Sequence, residues 1–262
     1  MKIKANGITI NYQVDGPGGA PWLVFSNSLA TNLSMWDDQA RELKQSYRVL
    51  RYDQRGHGGT DAPRGRYTFE LLIADVIALM DALAIKKAHF AGLSMGGATA
   101  LGLAELHPDR LDRVVVCDSP CQSTPVSAQQ WEERIALAEK EGMEPLVEPT
   151  VGRWFPPEVL AANPPHVEEV RRMIRTTPLN GFIGCAAALA NHNYAAGVGS
   201  VTRPVLFMAG EKDGVTPVAM RKLSAALPGS RYVELPGAGH ISNMDAPKAF
   251  TDILSAWLKS DF

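Results

Sequence analysis

The stretch Gly92-Leu93-Ser94-Met95-Gly96-Gly97 limits what this chain can fold into more than any other. The apolar run before it, Ala88-His89-Phe90-Ala91, reads as a buried strand, and Ala98 to Ala104 after it reads as a helix. A serine between glycines at a strand-to-helix turn is the context of a nucleophile elbow. So tight a turn leaves room only for small residues beside the serine, which accounts for Gly92 and Gly96. Gly97 lets the new helix lie close to neighbouring backbone. The Ser94 hydroxyl would stand exposed near the positive end of the helix dipole. The plainer alternative is a glycine-rich turn with an ordinary serine, so the rest of the chain has to decide.

Taken in order, the chain alternates. Lys2 to Ala5 and Ile8 to Val14 flank Asn6-Gly7, a tight hairpin signal. Trp22 to Phe25, Tyr47 to Tyr52, Val114 to Cys117, Pro204 to Ala209 and Arg231 to Leu235 read as further strands. A short helix is expected near Met35-Trp36. Phe69, Leu72, Ile73, Val76, Ile77, Met80 and Leu83 recur at helical spacing, with Thr68 as N-cap and Glu70, Asp75 and Asp81 off the apolar face. Pro217 to Leu227 and Ala246 to Leu258 read as helices. From about Ser119 to Gly199 strand-like runs vanish, and helices are expected at Trp131 to Glu141, Glu144 to Val151, Pro165 to Arg175 and Leu179 to Ala190. The expected fold class is α/β: a mostly parallel central sheet with helices on both faces and an inserted helical cap. The core would take residues 1–118 and 200–262, the cap 119–199.

Ligands of such sheets bind beyond the carboxyl ends of the strands. Every chemically suggestive loop here follows a strand. A serine hydroxyl needs a base, and the base needs an orienting carboxylate. Two later loops, Gly210 to Pro217 and Pro236 to His240, supply Asp213 as acid and His240 as base in the order Ser, acid, His. Glu211 and Asp118 remain alternative acids. Backbone N–H groups for a developing oxyanion are expected from Met95, after the nucleophile, and from Leu29 in the loop after Phe25. His57 sits in a glycine-rich loop and can help shape the site, while His89 reads as a core histidine.

The totals exclude several classes. A net charge of −2 without a dense Lys/Arg tract argues against nucleic acid. No run of about 18 apolar residues suggests a membrane span, and the N-terminus lacks a signal-peptide core. Cys117, Cys121 and Cys185 lack metal-ligand spacing and suit reduced thiols, so a cytoplasmic protein without a metal is expected. Cys117 and Cys121 fall near the mouth of the sheet, where one of them could line the pocket.

This layout resembles the α/β-hydrolase family across the whole chain. Asn27-Ser28 takes the place of that family's usual His-Gly pair. Phe25-Ser26-Asn27-Ser28-Leu29, Met35-Trp36-Asp37, Arg51 to Gly58, Gly239 to Asn243, Glu141-Gly142-Met143 and Arg153-Trp154-Phe155 look like the 3-oxoadipate enol-lactonases of aromatic catabolism. Ser119 to Pro125 is less typical. The resemblance implies a cofactor-free serine hydrolase that opens a small lactone bearing a carboxylate. Among the cap cations Arg134, Arg153, Arg171, Arg172 and Arg175, one should meet that carboxylate. Trp131, Arg134 and Trp154 are the pocket candidates, with Arg171, Arg172 and Arg175 on a solvated, salt-bridged face. Another lactonase, a carboxylesterase, a peracid-forming esterase, or a binding protein on the same scaffold are the competing readings.

Overall fold

A computed structural model describes residues 1–260. Eight strands form one sheet: β1 (Lys2–Ala5), β2 (Ile8–Asp15), β3 (Trp22–Ser26), β4 (Arg48–Tyr52), β5 (Ala88–Leu93), β6 (Leu111–Cys117), β7 (Val205–Gly210) and β8 (Arg231–Leu235). Their spatial order is β1-β2-β4-β3-β5-β6-β7-β8. β1 and β2 pair antiparallel, as do β2 and β4; all other neighbours are parallel. Asn6 and Gly7 both take left-handed backbone, φ 46° and 76°, between the paired residues Ala5 and Ile8. That is the twist-matched two-residue turn an Asn-Gly pair favours.

The helices are α1 (Asp37–Leu43), α2 (Phe69–Ala82), α3 (Met95–Leu106), α4 (Pro125–Glu141), α5 (Val147–Trp154), α6 (Pro157–Ala162), α7 (Pro165–Thr176), α8 (Leu179–Asn191), α9 (Thr216–Ala226), α10 (Ser242–Asp245) and α11 (Pro247–Lys259). Every residue of β7 is buried, which requires cover on both faces of the sheet. α2 packs on α3, and α1 on α11. Trp36 fills the α1 side, stacked on Phe25 with centroids 4.5 Å apart and tilted against Phe250. Between β6 and β7 run α4 to α8, with no strand among the described residues. None of the described helices is long and apolar enough to cross a membrane.

Some elements differ from expectation. α4 begins at Pro125, six residues before Trp131, because Thr124 and Ser127 close a reciprocal capping box there. α6 and α10 have six and four residues, too short to show a period. Asp75 is not a solvated position. It is buried in α2, where it pairs with Arg55 at 2.6 Å and accepts from Asn6 Nδ2 at 2.7 Å, tying α2 to the hairpin and to the loop after β4.

Candidate active site

Ser94 directly follows β5 and caps α3 with φ 57° and ψ −112°. A non-glycine residue held there carries strain of about 1–3 kcal/mol, which the surroundings must enforce. They do so through both peptide groups: Ser94 N–H donates to Cys117 O at 2.8 Å, and Ser94 O accepts from Ala98 N–H at 3.0 Å. The flanking glycines are obligatory by contact. A Cβ on Gly92 would lie 1.9 Å from Gly96 O, and one on Gly96 would lie 2.1 Å from Ser26 O. The serine is thereby lifted above the carboxyl edge of the sheet.

The loops after β7 and β8 are laced together. Glu211 N–H donates to Leu235 O and Lys212 N–H to Ala238 O, at 2.9 and 2.8 Å. Within them His240 Nδ1 lies 2.9 Å from Asp213 Oδ2. A carboxylate only accepts, so Nδ1 carries the proton and Nε2 is left with its lone pair. His240 N–H donates to Trp154 O at 2.7 Å, and the two rings stack at 5.6 Å. Burial pushes His240 toward the neutral form. Asp213, by charge and hydrogen bond, and then Asp118 outweigh it, while Arg153 works against them, and the net shift is upward. Of the other acids, Glu211 points elsewhere: it is exposed and accepts from Gly237 N–H. Asp118 is buried and accepts from Gly210 N–H and Ser242 Oγ–H.

The loop after β3 is wired internally. Asn27 Nδ2 donates to Ser28 O and Thr31 O at 3.0 and 3.1 Å, and Gln54 Nε2 donates to Asn27 O at 2.6 Å. Met35 Sδ accepts from Thr31 Oγ1 at 3.0 Å. His57, wholly buried, donates from Nδ1 to Arg55 O and accepts the Ala30 N–H at Nε2, 2.9 Å away. The Ala30 amide is therefore engaged, whereas Leu29 lines the cavity beside Ser94. Met95, as the first residue of α3, has an amide with no partner inside its helix. The bracing role of His57 depends on Ala30, distant in sequence, and its only sequence signal was its glycine-rich loop.

One cavity of about 430 Å³ is lined by Ser94, Asp213, His240 and Leu29 from the sheet edge, and by Trp131, Arg134, Arg153 and Trp154 from α4 and α5. Ser119, Pro120, Gln122 and Ser123 add a polar wall. All three pocket candidates thus line the cavity that holds Ser94, together with Arg153. Arg134 lies 4.5 Å over the Trp131 ring, and Arg153 Nη2 reaches Thr150 Oγ1 at 3.4 Å. Neither makes an ion pair among the described residues. Arg153 is exposed, yet the protein atoms crowded around its guanidinium, and then the neighbouring Arg134, pull it down to about 10. Burial lowers Arg134 too. By contrast Arg171 pairs with Glu148 and Glu168, Arg172 with Glu169 and Arg175 with Glu144. Cys117 and Cys121 do not line this cavity. Among the described residues no cluster of His, Cys, Asp or Glu could hold a metal ion.

Known proteins share this architecture. Residues 17–253 match the alpha/beta hydrolase family. The chain is 36% identical over 257 residues to 3-oxoadipate enol-lactonase 2 of Acinetobacter baylyi, covering 98% of this chain and 96% of that protein. The crystal structure of the enol-lactonase from Burkholderia xenovorans LB400 superposes with a TM-score of 0.95 at 38% identity, covering 99% of this chain and 100% of that one. A thermophilic esterase from Thermogutta terrifontis, solved with malate bound, superposes with a TM-score of 0.93 at 26% identity, covering 99% and 98%.

Proposed function

The chain belongs to the alpha/beta hydrolase family and is an esterase-type hydrolase, and we propose that it opens the ring of 3-oxoadipate enol-lactone to give 3-oxoadipate through a serine acyl-enzyme. In this reading Ser94 is the nucleophile, His240 the general base and Asp213 its orienting acid. The segment 119–199 is a cap over a core of 1–118 and 200–262. One observation carries the reading. The cavity that holds Ser94 and the hydrogen-bonded Asp213–His240 pair also holds two arginines without carboxylate partners, as a substrate with a free carboxylate requires.

His240 Nε2 takes the Ser94 proton as Oγ attacks the lactone carbonyl. The tetrahedral oxyanion is held by the Leu29 and Met95 amides. The ring C–O bond breaks, and the enolate oxygen takes the proton from His240; the enol then tautomerises to the ketone. Water, deprotonated by His240, attacks the acyl-enzyme and releases the second carboxylate, restoring Ser94. Trp154 holds the His240 backbone and covers its ring, which limits water near the base.

Steady-state turnover of freshly generated 3-oxoadipate enol-lactone, beside a neutral short-chain aryl ester, tests the substrate. A much higher kcat/KM for the lactone is expected. Good ester turnover with little lactone turnover would discard the substrate and keep the esterase. Ser94→Ala should fold and lose turnover on both, and a variant that retained it would sink the nucleophile assignment.

A further inference from the structure

Asp118 closes β6 in a left-handed backbone, φ 47°, with no exposed surface. That conformation strains any residue with a Cβ, and burial disfavours a carboxylate, so a compensating interaction is required. Both carboxylate oxygens supply one. Oδ1 accepts the Gly210 N–H at 2.7 Å, at the end of β7 and three residues before Asp213. Oδ2 accepts the Ser242 hydroxyl, two residues after His240, in a short bond. A single side chain just beyond β6 therefore grips the roots of both loops that carry the acid and the base. It also lies directly behind the wall of the cavity that they line.

We propose that Asp118 is a positioning residue that fixes the distance and angle between Asp213 and His240 by anchoring Gly210 and Ser242 together. The inference rests on the Ser94–His240–Asp213 reading. Asp118 faces the Asp213 carboxylate and the His240 ring, and His240 also faces Arg153. Burial, and then the Asp213 charge, push the Asp118 carboxyl well above the usual carboxylate range, and its ionised form adds to Asp213 in favouring the imidazolium form of His240. Replacing it should therefore change both the geometry of the pair and the acid constant of the base.

The test uses the whole chain and a small neutral aryl ester, so that it does not depend on the lactone assignment. Asp118→Asn keeps the shape, but an amide offers one acceptor where the carboxylate offered two. Its kcat should fall about 10- to 100-fold, the usual effect of losing a charge-assisted hydrogen bond, with KM within about twofold. The acid limb of its kcat profile should move to lower pH, because a charge favouring the imidazolium is gone. Ser242→Ala cuts one anchor but keeps the charge, so kcat should fall less and the acid limb should not move down. Wild-type kcat in Asp118→Asn, or a fall without any movement of the acid limb, would overturn the proposal. If Asp118→Asn does not fold, a folded Ser242→Ala with wild-type kcat would overturn it equally. Failure of the underlying nucleophile reading would show separately, as ester turnover surviving in Ser94→Ala.

Discussion

Arg153→Met is the substitution whose consequences diverge most between a carboxylate-binding site and an ordinary cap surface. Arg153 shares the Ser94 cavity with Arg134, makes no ion pair among the described residues, and donates only to Thr150 at 3.4 Å. Its guanidinium is thus poised for an external acceptor. A charge-assisted hydrogen bond to a substrate carboxylate contributes about 1.5–3 kcal/mol, or about 10- to 150-fold. Partial exposure of the side chain places the expected effect in the lower part of that range, and added salt should shrink it further. The lactone should therefore lose at least about tenfold in kcat/KM, mainly through KM, while a neutral aryl ester changes little. Desolvation, and then Arg134, disfavour the Arg153 charge in the folded protein, but the side chain is exposed and solvent screens both effects, so Met at this position should leave Tm close to wild type. Parallel kinetics on the two substrates and a thermal melt settle the matter. Equal losses on lactone and ester, or an unchanged lactone preference, would rule out Arg153 as the partner of the substrate carboxylate.

Other expectations follow from single contacts. His240 must be neutral to accept a proton, and its acid constant in the folded chain lies above the ordinary 6.5. Activity should therefore fall as pH drops through a value above 6.5, and Arg153→Met, by removing a cation, should move that limb further up; a limb well below 6.5 would contradict this. His57→Phe leaves the buried Ala30 N–H without its acceptor, so about 1–3 kcal/mol of stability should be lost together with kcat, measured by urea unfolding and turnover. Burial holds His57 below 6.5. The wild-type chain should thus lose stability as pH falls from the unfolded value toward that lowered one, and part of this loss should vanish in His57→Phe. Arg55→Met removes the charged partner of Asp75 inside the core and should cost about 3–5 kcal/mol in urea unfolding; a cost near zero would show that the buried pair does not hold α2 to the loop after β4.

Much of the fold was legible because its strands are short apolar runs between punctuating loops. All eight runs became strands, and the Asn-Gly turn and the Thr68 cap lie where the residues put them. What escaped was short or tertiary. Four residues of α10 cannot display a helical period. The start of α4 depends on Ser127 at the third helical position, where the familiar signal is Glu or Gln. Asp75 fell off the apolar stripe of α2, but its fate was decided by Arg55 and Asn6, which come from other loops. His89, expected as a satisfied core residue, makes an edge contact with Tyr47 and leaves Nδ1 without a hydrogen-bond partner.

The same division runs through the site. Ser94, Asp213 and His240 stood out because each follows a strand, and a parallel sheet brings the carboxyl ends of its strands to one edge. Chain order then paired the residues that the structure brings together. The cap arginines offered no such rule. Arg153 and Arg171 both sit on cap helices, and what separates them is supplied by packing: Glu148 of α5 takes Arg171, while Arg153 lines the cavity that holds Ser94 and has another arginine as neighbour. In the proposed reading, specificity rests on which cations are left unpaired when the helices pack, a property of the assembled cap rather than of any segment. Exchanging partners tests that idea directly. Glu148→Gln should release Arg171 without creating a second carboxylate site, because Arg171 does not line the cavity. Lactone kinetics should stay within about twofold of wild type, the margin expected for a surface pair. A large change in KM would place Arg171 in the recognition of substrate and undo the distinction between the two arginines.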